Sequence, residues 1–277
     1  MNYHHIKILT KTKKNHSYFT GSMFRGALGY ALKKVVCINP SYVCEGCFAK
    51  ENCLYYQLYE QKNVAHNYRL DIELGRDDYS FGLYLFNSAC EKLPYVLSAI
   101  HQMLTEQGLG RDKEKITEFT IKVDGEEVYD GKEFRSFDFI EQNSKSPQLD
   151  NFCPNIKIKL KTPLRIKKSN RFLRDDVDIE DILRSIYQRE QEIFYGNKAY
   201  RLEYKPNYLR TLKMLKHQEL LRKSNRQKTK MNMDGVVGEI AVRGIDEQSY
   251  RLLKLGEIIG VGKQTVMGLG GIEVEGI

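Results

Sequence analysis

Few residues in this chain could carry acid–base or phosphate chemistry. Its six histidines are His4, His5, His16, His66, His101 and His217, and imidazole is the side chain best suited to moving a proton near neutral pH. His16 stands in a lysine-rich loop and His217 in the most basic segment, so either could act on a polyanion. His4 and His5 adjoin on an expected strand and face opposite sides; His66 and His101 read as structural. Near the C-terminus, Gly260-Val261-Gly262-Lys263-Gln264-Thr265-Val266-Met267-Gly268-Leu269-Gly270-Gly271 holds five glycines and one lysine in twelve residues. Such a loop suits a phosphate backbone, the alternative being a tight turn with close packing. The spacing is not that of a nucleoside-triphosphate loop, since no G-x-x-x-x-G-K-[ST] is present.

Four of the six cysteines fall together as Cys37, Cys44, Cys47 and Cys53. A C-x2-C pair flanked by one cysteine on each side can converge on a structural zinc ion through four thiolates. An iron–sulfur cluster and reduced, unliganded thiols are the alternatives. A tetrathiolate leaves no open coordination position, so no catalytic metal is expected.

The elements that must position these groups are written in charge and periodicity. The net charge is +8, yet residues 1–34 carry seven Lys/Arg and no acid, residues 155–174 carry eight and no acid, and residues 201–230 carry ten against two acids. The remainder is therefore about 15 units negative, and the cationic surface is local. A nucleic acid is the expected partner, with solvated lysine faces as the alternative. No apolar run approaches the roughly 20 residues of a membrane span. The basic N-terminus has no secretory apolar core, and the chain reads as cytoplasmic.

Residues 3–9 read as a strand and Gly21 onward as a helix with Phe24, Ala27, Leu28, Ala31, Leu32 and Val35 on its buried side. A hairpin is expected over 68–74 and 79–86, a helix over 91–107 and a strand over 115–123. A second series follows: alternating Ile156-Lys157-Ile158-Lys159-Leu160-Lys161, a helix over 178–194, strands near 208–216, 228–234 and 236–243, a helix over 246–259 and a strand at 271–275. The expected class is α+β, with two tandem ferredoxin-like (βαββαβ, RRM-like) domains. They span 1–124, with a cysteine-rich insertion at 37–56 after the first helix, and 153–277, joined by a connector at 125–152 in which a small hairpin is expected.

Four stretches together resemble the CRISPR-associated endoribonucleases that process precursor CRISPR RNA, within the repeat-associated mysterious protein (RAMP) superfamily. They are Gly21-Ser22-Met23-Phe24-Arg25-Gly26-Ala27-Leu28-Gly29 with the cysteine segment ending in Cys53-Leu54-Tyr55, then Thr162-Pro163-Leu164-Arg165-Ile166-Lys167, then Arg222-Lys223-Ser224-Asn225-Arg226-Gln227, and the C-terminal V-G-K-x-x-x-x-G-L-G loop. The chain departs from the pattern at Gly260, where members often carry a histidine.

The resemblance implies metal-independent cleavage of CRISPR repeat RNA, single-stranded or hairpin, by the ribose 2′-OH, leaving a 2′,3′-cyclic phosphate and a 5′-OH. It also implies CRISPR effector or adaptation proteins as further partners. A non-cleaving RNA-binding subunit of an effector complex is the alternative, and a zinc-containing nucleic-acid-binding protein a third reading. The reaction needs a base, an acid and cations at the phosphorane. His16 is the first acid/base candidate and His217 the second. Arg25 and Lys33, on one helical stripe with Gly29, are the charge stabilisers, the glycine admitting a phosphate. Arg222, Ser224, Asn225, Arg226 and Gln227, with Gly260, Gly262, Lys263, Gly268 and Gly270, form the expected RNA contacts. The centre is expected between the first helix and the glycine loop.

Overall fold

The computed structural model describes residues 2–12, 18–135, 145–146, 151–174, 176–199, 201–223 and 230–277, with the side chains of 222, 223 and 230 outside that set. The chain divides into two compact units, Met1–Ser146 and Pro147–Ile277. Both are mixed α+β with antiparallel sheets.

The first unit runs β1 (Tyr3–Thr10), α1 (Gly21–Val36), β2 (Tyr68–Asp71), β3 (Phe81–Phe86), α2 (Leu93–Gln102), β4 (Phe119–Val123) and β5 (Glu126–Tyr129). Its sheet order is β2-β3-β1-β4-β5. Period-two burial on β1 sends Ile6 and Ile8 into the core with Leu70, Leu83, Leu85 and Ile121. Phe24, Leu28, Ala31 and Leu32 of α1 and Leu93, Val96, Leu97 and Ile100 of α2 complete that core. Phe24 stacks on Phe81 with ring centroids 4.3 Å apart. Helical backbone reaches from Asn87 to Gln107, but α2 itself starts only at Leu93, because Pro94 has no N–H and fits only a first turn. The stretch expected as a connector contributes β5, paired with β4, and Lys145 exchanges main-chain hydrogen bonds with Tyr3.

The second unit runs β6 (Ile156–Leu164), β7 (Lys167–Lys168), β8 (Arg171–Phe172), α3 (Ile179–Glu190), β9 (Arg210–Gln218), β10 (Leu221–Lys223), β11 (Lys230–Asn232), β12 (Gly235–Arg243), α4 (Glu247–Ile259) and β13 (Ile272–Gly276). The main sheet has the order β13-β6-β12-β9, while β7–β8 and β10–β11 are small separate ladders. Ile182, Leu183 and Ile186 of α3 and Leu253 and Ile259 of α4 bury against Ile156, Ile158, Ile240 and Val242. A capping box of Asp178 and Asp181 opens α3, and Asp246 opens α4 by accepting from the Ser249 N–H at 2.7 Å.

The lysine alternation on β6 is answered within the sheet. Lys159 donates to Glu275 at 2.6 Å and Lys157 lies 3.6 Å from the same carboxylate, so part of this basic charge is offset within the sheet.

Among the described residues the cysteine segment does not gather into the zinc site that its spacing suggested. Cys37 ends α1 and its thiol donates to the Asn39 carbonyl at 3.7 Å. Cys44 and Cys47 span a turn, and Cys53 follows the turn Lys50–Asn52. All four are free and half-buried, and no three His, Cys, Asp or Glu side chains among the described residues gather as a metal site. An asparagine orders the 39–43 turn between the first two cysteines: Asn39 accepts from the Ser41 N–H at 3.1 Å and donates to the Val43 carbonyl at 3.0 Å.

Cys90 has a different environment. It is buried between the Leu85 and Asn2 carbonyls at 3.5 and 3.8 Å, and burial pushes its thiol up to about 12. Against an ordinary value of 9.0, that leaves roughly 10³-fold less thiolate at a given pH. A thiol reagent at pH 8 should therefore modify cysteines of the 37–53 segment and leave Cys90 unlabelled until the chain unfolds, as read by peptide mass mapping.

Candidate functional site

The stripe Arg25, Gly29, Lys33 on α1 forms as expected, but its occupant is aromatic. The turn Tyr56–Glu60 brings Tyr59 onto Gly29 so closely that a Cβ there would lie 2.5 Å from the ring. The Arg25 guanidinium sits 5.0 Å from the centroid of Tyr59, and the Lys33 ammonium 4.8 Å from that of Tyr55. Tyr55, Tyr59 and Tyr68 form a stacked ladder with centroids 5.4 and 5.6 Å apart. Burial pushes the Tyr59 and Tyr68 phenols above their ordinary range, so both stay protonated. The glycine that was expected to admit a phosphate admits a tyrosine ring.

His4, His5, His66 and His101 have structural partners. His4 is buried with Nδ1 2.6 Å from Asp124. His5 lies flat on Tyr84, centroids 4.0 Å apart, with Nε2 3.3 Å from Asp71. His66 approaches the Gln57 carbonyl at 3.2 Å, and His101 packs among Phe119, Tyr129 and Phe134. His16 lies outside the described residues.

In the second unit the glycine loop is folded inward. The Gly260 N–H reaches the Gly256 carbonyl, Val261 N–H the Gly270 carbonyl, Gly268 N–H the Thr265 carbonyl and Gly270 N–H the Pro163 carbonyl. The Gly262 N–H donates to the buried Ser185 hydroxyl at 2.8 Å. Gly270 has a φ of +75°, and a Cβ there would collide with the Val261 carbonyl, so no side chain can take this position. Gly260, Gly262, Gly268 and Gly270 are thus spent on packing, whereas Lys263 is exposed. Of the basic hairpin, Arg222 is placed only by its backbone, paired with Met231; Ser224, Asn225, Arg226 and Gln227 lie outside the described residues.

Around Lys263 a chain of contacts links groups that the sequence keeps apart. Lys263 N–H donates to the Arg165 carbonyl at 2.9 Å. The buried Arg165 guanidinium donates through Nη1 to the Asp234 carbonyl. The Asp234 carboxylate accepts from the Leu220 N–H at 2.8 Å and lies 3.8 Å from His217 Nε2. His217 is held on β9 opposite Val236, two residues beyond Asp234, which immediately precedes β12. Its side chain is 26% exposed, open enough to meet a ligand. Sequence reasoning singled out His217 and Lys263 but not Asp234, whose only signal was an Asp-Gly turn dipeptide.

The seat of Tyr59 can be tested without RNA. Gly29→Ala should cost about 1–3 kcal/mol in urea unfolding, the usual penalty of overpacking. With Tyr59→Ala in the same chain the two losses should be strongly non-additive. Simple additivity would mean that ring and helix do not collide.

Comparison with known proteins completes the picture. A family model described as an N-terminal domain matches residues 2–141, just over half of the chain. The model for the CRISPR-associated endoribonuclease Cas6 matches residues 158–272. An Archaeoglobus fulgidus protein described as uncharacterized is 26% identical, over 91% of this chain and 90% of its own length. A Thermus thermophilus Cas6 product complex matches with a TM-score of 0.58 at 14% identity, over 99% of each chain. A partial Cas6-RT-Cas1–Cas2 complex matches with a TM-score of 0.54 at 14% identity, over 99% of this chain and 45% of that one. At such identities the likeness carries the fold, and the family models carry the assignment. With residues 2–141 in that N-terminal domain family and residues 158–272 matched by the endoribonuclease model, the chain is a Cas6-type endoribonuclease of CRISPR RNA processing.

Proposed function

We propose that this protein cuts CRISPR repeat RNA without a metal ion, through attack of a ribose 2′-OH on the adjacent phosphorus. A base takes the 2′-OH proton, the 2′-oxygen bonds to phosphorus, the P–O5′ bond breaks and an acid returns a proton to O5′. The products carry a 2′,3′-cyclic phosphate and a 5′-OH.

The observation that carries this reading is the contact chain from His217 through Asp234 and Arg165 to Lys263. It sets an imidazole beside a carboxylate and links that pair, through the buried Arg165, to the backbone that bears Lys263, in the unit matched by the endoribonuclease model. His217 takes the acid/base role, with His16 as the second candidate. Lys263 and Arg165 supply the positive charge for the phosphorane. Arg25 and Lys33, lying over tyrosine rings, hold the first unit together in this reading.

We read both units as ferredoxin-like. Each follows the order βαββαβ, and numbering the four main strands of either unit from its N-terminus gives the same 4-1-3-2 sheet order. The compact units 1–146 and 147–277 accompany this reading, beside the domains 1–124 and 153–277 expected from the sequence. Repeat RNA and other CRISPR proteins are the partners, supported by relatives named as product and Cas1–Cas2 complexes. No described helix is long and apolar enough to cross a membrane.

Single-turnover cleavage of a cognate repeat in chelator is the test. His217→Ala should slow the cut by about 10² or more with RNA affinity unchanged. Lys263→Ala should make the salt dependence of binding shallower by roughly 0.7 in log-log slope. Native cleavage by His217→Ala together with loss in His16→Ala moves the acid/base role to His16. Tight binding of the repeat by the unmodified protein with no cut replaces this reading with that of a non-cleaving subunit.

A further inference from the structure

Directly after Arg165 the chain makes a small hairpin that none of the chemistry above uses. Lys167 and Lys168 of β7 pair with Phe172 and Arg171 of β8 across a two-residue turn, in which Ser169 and Asn170 both have positive φ. That turn suits the natural twist of a two-stranded ribbon. All six residues are exposed, and Phe172 leaves 39% of its surface in solvent.

A lone exposed phenylalanine is ordinary. This one is held in a particular way. The Arg165 guanidinium, only 6% exposed, lies 4.3 Å from the centroid of the Phe172 ring, and its Nε is buried without a hydrogen-bond partner. Lys167 approaches the same ring at 5.2 Å. Lys168 is neutralised by Asp181 at 3.1 Å, whereas no ion pair among the described residues involves Lys167 or Arg171. The hairpin therefore presents a flat apolar ring, fixed from one side by a buried cation and flanked by two cations with no acidic partner. The Arg165 main chain bridges to Gly262 and accepts from the Lys263 N–H, so the residue whose side chain holds this ring also holds the backbone of Lys263.

A ligand matching that surface offers flat apolar faces between regularly spaced negative charges, which describes single-stranded RNA. We propose that Phe172 stacks on one unpaired nucleobase of the bound RNA while Lys167 and Arg171 contact the flanking phosphates, a base-stacking subsite that rests on the RNA-processing reading above. The hairpin extends the path that Lys263 begins, and it selects an unpaired nucleotide rather than a duplex step.

Two probes separate this proposal from the reading it rests on: the cognate repeat, and an unstructured oligonucleotide of equal length. Phe172→Ala should weaken binding of both by roughly 5- to 150-fold, the usual range for one lost stacked base, with an unchanged salt slope. Phe172→Trp should keep affinity, and Lys167→Ala should make the slope shallower by roughly 0.7. An abasic substitution at the stacked nucleotide should abolish the difference between Phe172→Ala and the unmodified protein. Phe172→Leu keeps an apolar cover over Arg165, so it should fail as Phe172→Ala does. Full affinity in Phe172→Leu, or no loss in Phe172→Ala while the repeat is bound and cut, overturns the subsite. Loss of oligonucleotide binding in Phe172→Ala, with no preference for or cutting of the repeat, keeps the subsite and overturns the RNA-processing reading. Binding of neither RNA by the unmodified protein overturns both.

Discussion

The second unit depends on how the glycine loop is clamped to the end of β6. Gly271 donates to the Thr162 hydroxyl at 2.8 Å, Gly270 to the Pro163 carbonyl at 3.1 Å and Lys263 to the Arg165 carbonyl at 2.9 Å. Together these bonds span residues 162–165 and fix both the one exposed lysine of the loop and the backbone that bears Arg165. Most of the loop is buried, so its polar main chain must be satisfied internally. The glycines achieve this by letting main chain lie against main chain.

The first unit uses a comparable close approach for a different purpose. Gly29 lets the Tyr59 ring lie on α1, and Arg25 and Lys33 cover the aromatic ladder that results. Cations on a helix and cations on a nucleic-acid surface have the same sequence appearance. What separates them is the partner, here supplied by a turn about 30 residues further along the chain.

Local order was legible in the sequence because burial imposes periodicity. The alternation of Ile156, Ile158 and Leu160 and the helical spacing of Phe24, Leu28 and Leu32 each named an element that the structure contains. Pairing was less legible. The lysines of β6 read as a cationic surface because Glu275, whose single carboxylate two of them share, lies more than a hundred residues away. The four cysteines read as a metal site because spacing does not reveal that no three such ligands gather among the described residues, Asn39 ordering only the 39–43 turn between the first two cysteines. His217 and Lys263 were legible as residue types, while their connection through Asp234 and Arg165 exists only after β6, β9 and β12 have come together.

The claim that this connection organises the chemistry is tested most directly by Asp234→Asn. The amide oxygen can still accept from the Leu220 N–H, and the main-chain carbonyl still accepts from Arg165, so only the charge facing His217 is removed. The measurement is the single-turnover cleavage rate alongside the equilibrium affinity for the same repeat RNA. A rate lowered by at least about tenfold at unchanged affinity is the expected result; cleavage at the native rate would contradict the account.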